Sequence, residues 1–177
     1  MQLDQAYLKW GLGLVNVILK CGEKIMETNK LLLPTSHVRF GLAQVDITPP
    51  VGIYHPLWGA AVHDRSTGVH RSLRGEVMVF GPVEDTEERD PSMLIRAQLD
   101  LPGLVDSRQH GGFLGALFEA GGVPSDRILV SYSHTHAAGW FAPNRYGMPG
   151  GELILPYLEE VGEKIQMACR QASYGMQ

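Results

Sequence analysis

Short apolar segments, separated by glycine, proline and charged residues, predict four β-strands along the chain. They cover residues 38–47, 73–80, 93–101 and 127–133. In the first segment the apolar residues Val38, Phe40 and Leu42 occupy every second position, and the alternation shifts phase near Ala43. The pattern therefore predicts a half-buried strand with a β-bulge at the phase shift.

Two later segments carry apolar residues at helical spacing. Residues 106–120 are predicted to form a helix that stops at Gly121 and Gly122, and residues 152–173 a helix with Pro156 in its first turn. The expected apolar faces are Phe113, Leu114, Leu117 and Phe118 in the first helix, and Ile154, Leu158, Val161, Ile165, Ala168 and Ala172 in the second. This order of elements predicts an α/β fold, with a mixed sheet and flanking helices.

The N-terminal residues 3–25 also have a helical pattern with one apolar face. Their most apolar run, residues 10–19, is shorter than the roughly 20 residues that cross a bilayer, so no transmembrane segment is expected. Charged residues follow this run without a small-residue cleavage site, which favours a cytoplasmic over a secreted protein. We expect a helical extension over residues 1–34 and an α/β domain over 35–177; a true start at Met26 is the alternative.

Composition and charge narrow the classes of function. Fifteen Lys and Arg against 19 Asp and Glu give a net charge of −4, without the basic excess of a nucleic-acid-binding protein. Two cysteines, Cys21 and Cys169, are too few for a disulfide scaffold or a four-cysteine zinc site. We expect both to be inert thiols, with a single bridge as the alternative.

The strongest chemical signal is the sequence Ser133-His-Thr-His136 at the end of the fourth predicted strand. Residues two apart on a strand face the same way, so His134 and His136 can present two imidazoles to one point. Imidazole is a common zinc ligand, and α/β folds place ligands beyond the carboxyl ends of their strands. The alternative is a chance pair of histidines without a ligand.

Three further features could contribute to such a site. Asp100 ends the third predicted strand as His134 follows the fourth, so a neighbouring strand would bring its carboxylate near the histidines, where it could orient one of them. His70 lies just before the second strand. The irregular stretch 51–68 contains His55 and His63, and long irregular connections are often functional. Each of these histidines can also be a structural or surface residue.

Four segments in this order resemble the N-terminal part of the catalytic domain of the neutral/alkaline non-lysosomal ceramidases. They are residues 41–50 (GLAQVDITPP), residues 68–74 (GVHRSLR), the strand that ends in Asp100, and residues 133–136 (SHTH). The resemblance extends over about residues 38–172 and implies that the chain is an incomplete part of a larger ceramidase-like domain.

The resemblance also implies a reaction. Family members hydrolyse the amide bond of ceramide with a single zinc ion, which activates water and polarises the carbonyl. Carried over by position, His134 matches a zinc ligand and His136 matches the catalytic histidine that contacts the substrate. Gly59 lies in the loop that borders metal and substrate, and His70 matches a motif position without an assigned role.

Two departures from the family pattern set the expectation for activity. Ala137-Ala138-Gly139 replaces the family's Ser-Gly-Pro, and the remaining zinc ligands of the family, a His, a Glu and a Tyr, come from positions beyond Gln177. A catalytic zinc needs about three protein ligands. We therefore expect a lipid-amide hydrolase with little activity in the isolated chain, complemented by a downstream chain. The alternatives are a non-catalytic remnant and a small metal-binding α/β module.

Overall fold

The fold is built on one four-stranded mixed sheet. The structure, a computed structural model, describes residues 37–84 and 92–177. The strands are β1 (Arg39–Asp46), β2 (Arg74–Gly81), β3 (Leu94–Leu99) and β4 (Ile128–Tyr132). They lie in the order β1-β2-β3-β4, with the first two pairs antiparallel and the β3–β4 pair parallel. The four predicted strands and the mixed sheet are confirmed.

In the described part of the chain, two helices pack on the inner face of the sheet. The β2 and β3 residues that are fully buried there are Val77, Val79, Ile95, Ala97 and Leu99. Helix α1 (Ser107–Gly121) connects β3 to β4, and helix α2 (Ile154–Tyr174) follows β4. A parallel pair needs a crossover connection, and α1 supplies it. The helix-flanked α/β architecture predicted from the sequence is therefore present.

Strand β1 differs from the prediction in phase. Its pairing with β2 runs without interruption from Arg39 opposite Gly81 to Asp46 opposite Arg74, so the predicted bulge near Ala43 is wrong. The side chains of Val38, Phe40 and Leu42 lie on the exposed face, while Gly41, Ala43 and Ile47 are buried. The apolar pattern of the sequence shifts phase here because both faces of β1 carry apolar residues.

A close helix explains why the inward residues of β1 are small. A Cβ atom at Gly41 would overlap the backbone carbonyl of Ala172 in α2. The helix therefore lies directly on the strand backbone at this point. Larger residues are excluded from the inner face at this point, and the neighbouring large residues Phe40 and Leu42 lie on the outer face.

Both helices begin and end close to their predicted positions. The carboxylate of Asp106 caps α1 by accepting a hydrogen bond from the Arg108 backbone N–H, and Gly122 ends it in the left-handed conformation with φ 67°. Two residues of the predicted apolar face of α1 lie outside the core: Phe118 is 51% exposed and Leu114 is only half-buried, whereas Ala120 and Gly121 are buried. Gly121 faces Ile95, and a Cβ there would overlap its side chain, so glycine permits close contact with β3.

The inner face of α2 follows its predicted pattern. All six predicted residues are buried, together with Tyr157 and Cys169. Cys169 is a free thiol, and its burial raises its pKa to about 11, which keeps it protonated and unreactive near neutral pH. Pro156 lies in the first turn of the helix, where its missing N–H costs no hydrogen bond.

The predicted N-terminal helix, the domain boundary at residue 34 and most of the acidic turn at residues 84–90 lie outside the described residues. Within residues 37–84 and 92–177 no helix is long and apolar enough to cross a membrane. The cytoplasmic location inferred from the N-terminal sequence stays a prediction.

The contact between α2 and β1 can be tested with one pair of glycine substitutions. Gly41→Ala is expected to lower the free energy of unfolding by about 1–3 kcal/mol, because the added methyl group overlaps a backbone carbonyl that cannot move without shifting α2. Gly115→Ala is the matched control: nothing lies within 4 Å of its Cβ position on exposed α1, so it should raise stability by about 0.5–1 kcal/mol. Equal effects of the two substitutions in urea unfolding would contradict the close contact.

Candidate functional site

Three connections meet at one edge of the sheet, where β1, β3 and β4 all end. The parallel register places Leu99 opposite Tyr132, so the residues that follow both strands emerge side by side. The Ser133 N–H donates to the Leu99 carbonyl, which extends the pairing by one further residue. This edge carries the Ser133-His-Thr-His136 segment, as the sequence predicted for ligand positions in an α/β fold.

The end of β1 is held by a compact turn. The Asp46 carboxylate accepts the backbone N–H of Thr48 at 2.8 Å, and this hydrogen bonding holds the pKa of Asp46 below its ordinary value. The Thr48 hydroxyl in turn accepts the Leu73 N–H at 2.9 Å. The buried hydroxyl of Tyr157 donates to the Ile47 carbonyl at 2.6 Å and ties the turn to α2.

The long connection between β1 and β2 is partly ordered by backbone pairing. An antiparallel bridge joins Tyr54 and Arg65, with hydrogen bonds from the Ser66 N–H to the Ile53 carbonyl and from the His55 N–H to the Asp64 carbonyl. The remaining residues of the loop have no regular structure. The sequence correctly predicted an irregular stretch, but the pairing within it was not predicted.

The loop after β4 packs directly against this paired segment. The Tyr54 N–H donates to the Gly150 carbonyl at 3.0 Å. Gly139 and Gly150 both have positive φ, and a Cβ at either residue would press on the backbone of residues 52–55. Glycine at these two positions therefore allows two loop backbones to touch, and this contact fixes the segment that carries the histidines.

His134 is held in an uncommon backbone conformation. Its φ of 57° lies in the left-handed region, and it is the only described residue other than glycine with positive φ. Its Nδ1–H donates to the Pro102 carbonyl at 2.6 Å. That hydrogen bond selects the tautomer with the proton on Nδ1, so the lone pair of Nε2 is left available for a ligand.

His136 lies beside His134, with ring centroids 5.3 Å apart. The edge-on contact of Trp58 with the His136 ring, at 5.4 Å, brings the loop that contains Gly59 to the same place. Both histidines are exposed. Three of the predicted site residues, His134, His136 and Gly59, therefore lie in one neighbourhood.

A second histidine pair lies next to this segment. The His55 and His63 rings share a hydrogen bond of 2.8 Å between Nδ1 and Nε2, and His55 Nε2–H donates to the Ala137 carbonyl at 3.1 Å. The sequence showed two histidines in an irregular loop, but no local pattern indicated that they would pair. The pair attaches the loop between β1 and β2 to the residue that follows His136.

The predicted residue Asp100 lies at the same edge but is engaged elsewhere. Its carboxylate accepts the backbone N–H of Arg74 at 3.0 Å and holds the start of β2. The group that orients the His134 ring is the Pro102 carbonyl, two residues further on. An orienting role of Asp100 toward a histidine stays a prediction.

His70 lines a cleft of about 320 Å³ beside the histidine segment. The cleft runs between the loop before β2 and the loop after β4, since Thr135, Ala137 and Ala138 form part of its wall. His55 also lines it. The structure thus places His70 near the segment that carries His134 and His136, across an open space of small-molecule size.

Tyr132, the last residue of β4, anchors this edge to α1. Its hydroxyl and His110 Nδ1 share a hydrogen bond of 2.8 Å. Burial raises the pKa of Tyr132 to about 12, so the phenol stays protonated at neutral pH. The strand end that precedes His134 is therefore fixed from the helix side as well.

The described residues do not by themselves form a metal centre. No group of three His, Cys, Asp or Glu side chains within residues 37–84 and 92–177 is arranged to hold a metal ion. His134 is an exposed residue whose Nδ1–H is engaged by the Pro102 carbonyl, so its Nε2 is the ring nitrogen available to a zinc ion. Three-ligand zinc binding would need further ligands from outside the described residues.

Comparison with known proteins identifies the type of fold. No protein-family model and no curated protein matches the chain. Among solved structures, a ceramidase complexed with C2 matches with a TM-score of 0.60 and 19% sequence identity, over 79% of this chain. The chain spans 22% of that ceramidase chain. The likeness shows that the chain has a ceramidase-like fold.

The backbone conformation of His134 yields a test by substitution. Glycine is favoured over alanine where φ is positive, so His134→Gly should be more stable to unfolding than His134→Ala by about 1 kcal/mol. The control is His136, which has no positive φ: there His136→Gly should be less stable than His136→Ala. The same order of stability at both positions in urea unfolding would show that His134 is not held in the left-handed region.

Proposed function

We propose that the chain is the N-terminal part of a zinc-dependent hydrolase domain of the neutral/alkaline ceramidase type, acting on the amide bond of a lipid. The observation that carries this proposal is the state of His134. Its ring is oriented by the Pro102 carbonyl and offers Nε2 at the carboxyl edge of a ceramidase-like sheet. The four motif segments, in the order typical of the family, support the same assignment.

In this proposal His134 contributes one ligand to the zinc ion, and the remaining ligands come from outside the described residues. Bound zinc supplies Lewis acidity, which lowers the pKa of a water molecule and polarises a carbonyl group. The protein's part is to hold the His134 ring in one orientation. The Pro102 hydrogen bond does this without adding a charge near the reacting groups.

His136 is proposed to contact the scissile amide. Its ring is exposed, lies beside His134, and is steadied on one side by the edge contact with Trp58. An imidazole in that place can hold or move a proton at the amide nitrogen or carbonyl oxygen. Gly59 follows Trp58, and nothing lies within 4 Å of its Cβ position, so the loop leaves room for a substrate there.

The test compares the chain alone with the chain produced together with the reading frame that follows codon 177. With zinc supplied, hydrolysis of a fluorescent ceramide is expected only from the second preparation, because the described residues hold too few ligands. His134→Ala in that preparation should remove stoichiometric zinc and reduce turnover at least about 100-fold. His37→Ala, at an exposed position before β1, is the control and should change neither.

Two results would count against the proposal. Zinc-dependent turnover by the 177-residue chain alone would contradict the incomplete ligand set. A folded preparation of the longer product that binds zinc normally after His134→Ala would show that His134 is not a ligand.

A further inference from the structure

The cleft that His70 lines has an unusual charge distribution for this chain. The protein is acidic overall, with a net charge of −4, yet no Asp or Glu side chain is among the described residues that line the cleft. The ionisable residues that line the cleft are Arg71, His70 and His55. An opening lined by basic groups alone concentrates anions.

Two of these basic side chains have no partner among the described residues. Within the described part of the chain, Arg71 and His70 make no hydrogen bond or ion pair, and both are exposed. The nearby carboxylate of Asp46 is outside the lining and already accepts hydrogen bonds from Thr48 and Ser72. The guanidinium group of Arg71 is therefore available to a ligand, with five N–H donors in a planar arrangement that suits carboxylate and phosphate oxygens.

A hydroxyl group adds a neutral donor to the same cleft. The Thr135 oxygen accepts the Ala137 N–H at 3.2 Å, and the Thr48 oxygen accepts the Leu73 N–H at 2.9 Å. The oxygen of each hydroxyl acts as an acceptor in these bonds. The Thr48 hydroxyl also hydrogen-bonds the Asp46 carboxylate, whereas the Thr135 O–H proton remains to be donated. Both residues line the cleft, which thus combines cationic and neutral hydrogen-bond donors.

Apart from Ser66, whose hydroxyl donates to the Pro50 carbonyl, the side chains that complete the lining are apolar and limit the size of a ligand. They belong to Pro49, Ile53, Val69, Leu73 and Ala138. A volume of about 320 Å³ is at the lower end of the range for small-molecule sites. The cleft therefore suits an oxyanion attached to a short apolar chain.

We propose that this cleft binds a small amphipathic oxyanion, a carboxylate or a phosphate ester, through Arg71 and His70. Resting on the proposed function, the neighbouring histidine site would then also accept a lipid amide that carries an acidic group, in addition to an uncharged ceramide. The wall shared with Thr135 and Ala137 places such a group next to His134 and His136.

The experiment measures binding to the isotope-labelled full chain by NMR, in EDTA so that zinc plays no part. Hexanoate, hexyl phosphate and the uncharged hexanamide are titrated separately. We expect saturable binding of an acid, with shifts of the His70 ring signals, and no saturation with hexanamide. The tighter of the two acids identifies the preferred oxyanion.

Variants then assign the binding to the cleft. Replacing both basic residues, by His70→Gln and Arg71→Gln, should weaken binding of the preferred acid by about tenfold or more. Arg71→Lys should retain part of the affinity, because it keeps the charge but loses the planar donor arrangement. Arg170→Gln is the control: it removes the same charge from the exposed face of α2, near the opposite end of β1, and should leave affinity within about twofold.

The proposal is overturned if hexanamide binds as tightly as hexanoate, if no ligand saturates, or if Arg170→Gln weakens binding as much as the double substitution. Because zinc is absent throughout, none of these results depends on metal binding by His134. Conversely, failure of ceramide hydrolysis would leave the anion-binding result intact. The two proposals can therefore fail separately.

Discussion

The candidate site depends on the parallel pairing of β3 with β4. Because Leu99 lies opposite Tyr132, the turn after β3 and the loop after β4 emerge together, and the Pro102 carbonyl comes within hydrogen-bonding distance of His134. An antiparallel pair would send the two connections to opposite edges. The crossover helix α1, with its capped ends and its close contact with β3 at Gly121, makes the parallel pairing feasible.

The sequence predicted a helix or strand well where its apolar residues lie on one face only. Helix α2 has apolar residues on one face only, and its buried residues and its proline position agree with the structure. The bulge predicted for strand β1 is absent, because its inward residues are determined by the approach of α2 to Gly41, a contact between residues far apart in the chain. Phe40 and Leu42 lie on the outer face and Val45 packs against the core, so the apolar pattern changes phase without a bulge.

Only those features of the site that follow from neighbouring residues in the sequence could be predicted. The spacing of His134 and His136 and their position after a strand indicated neighbouring imidazoles, and the rings are 5.3 Å apart. The positive φ of His134, its bond to Pro102 and the pairing of His55 with His63 all arise from loop contacts across the fold. Such contacts leave no periodic trace in the sequence. The glycines at 139 and 150 were visible, but their roles require the partner loop.

The central claim is that the fold presents His134 with its Nε2 free for a ligand. The most direct test is the tautomer of this ring, measured by two-bond ¹H–¹⁵N NMR on the folded, metal-free chain at a pH where the ring is neutral. The account predicts a proton on Nδ1, held by the Pro102 carbonyl, and an unprotonated Nε2. A ring with its proton on Nε2, or one that exchanges freely between both tautomers, would contradict it.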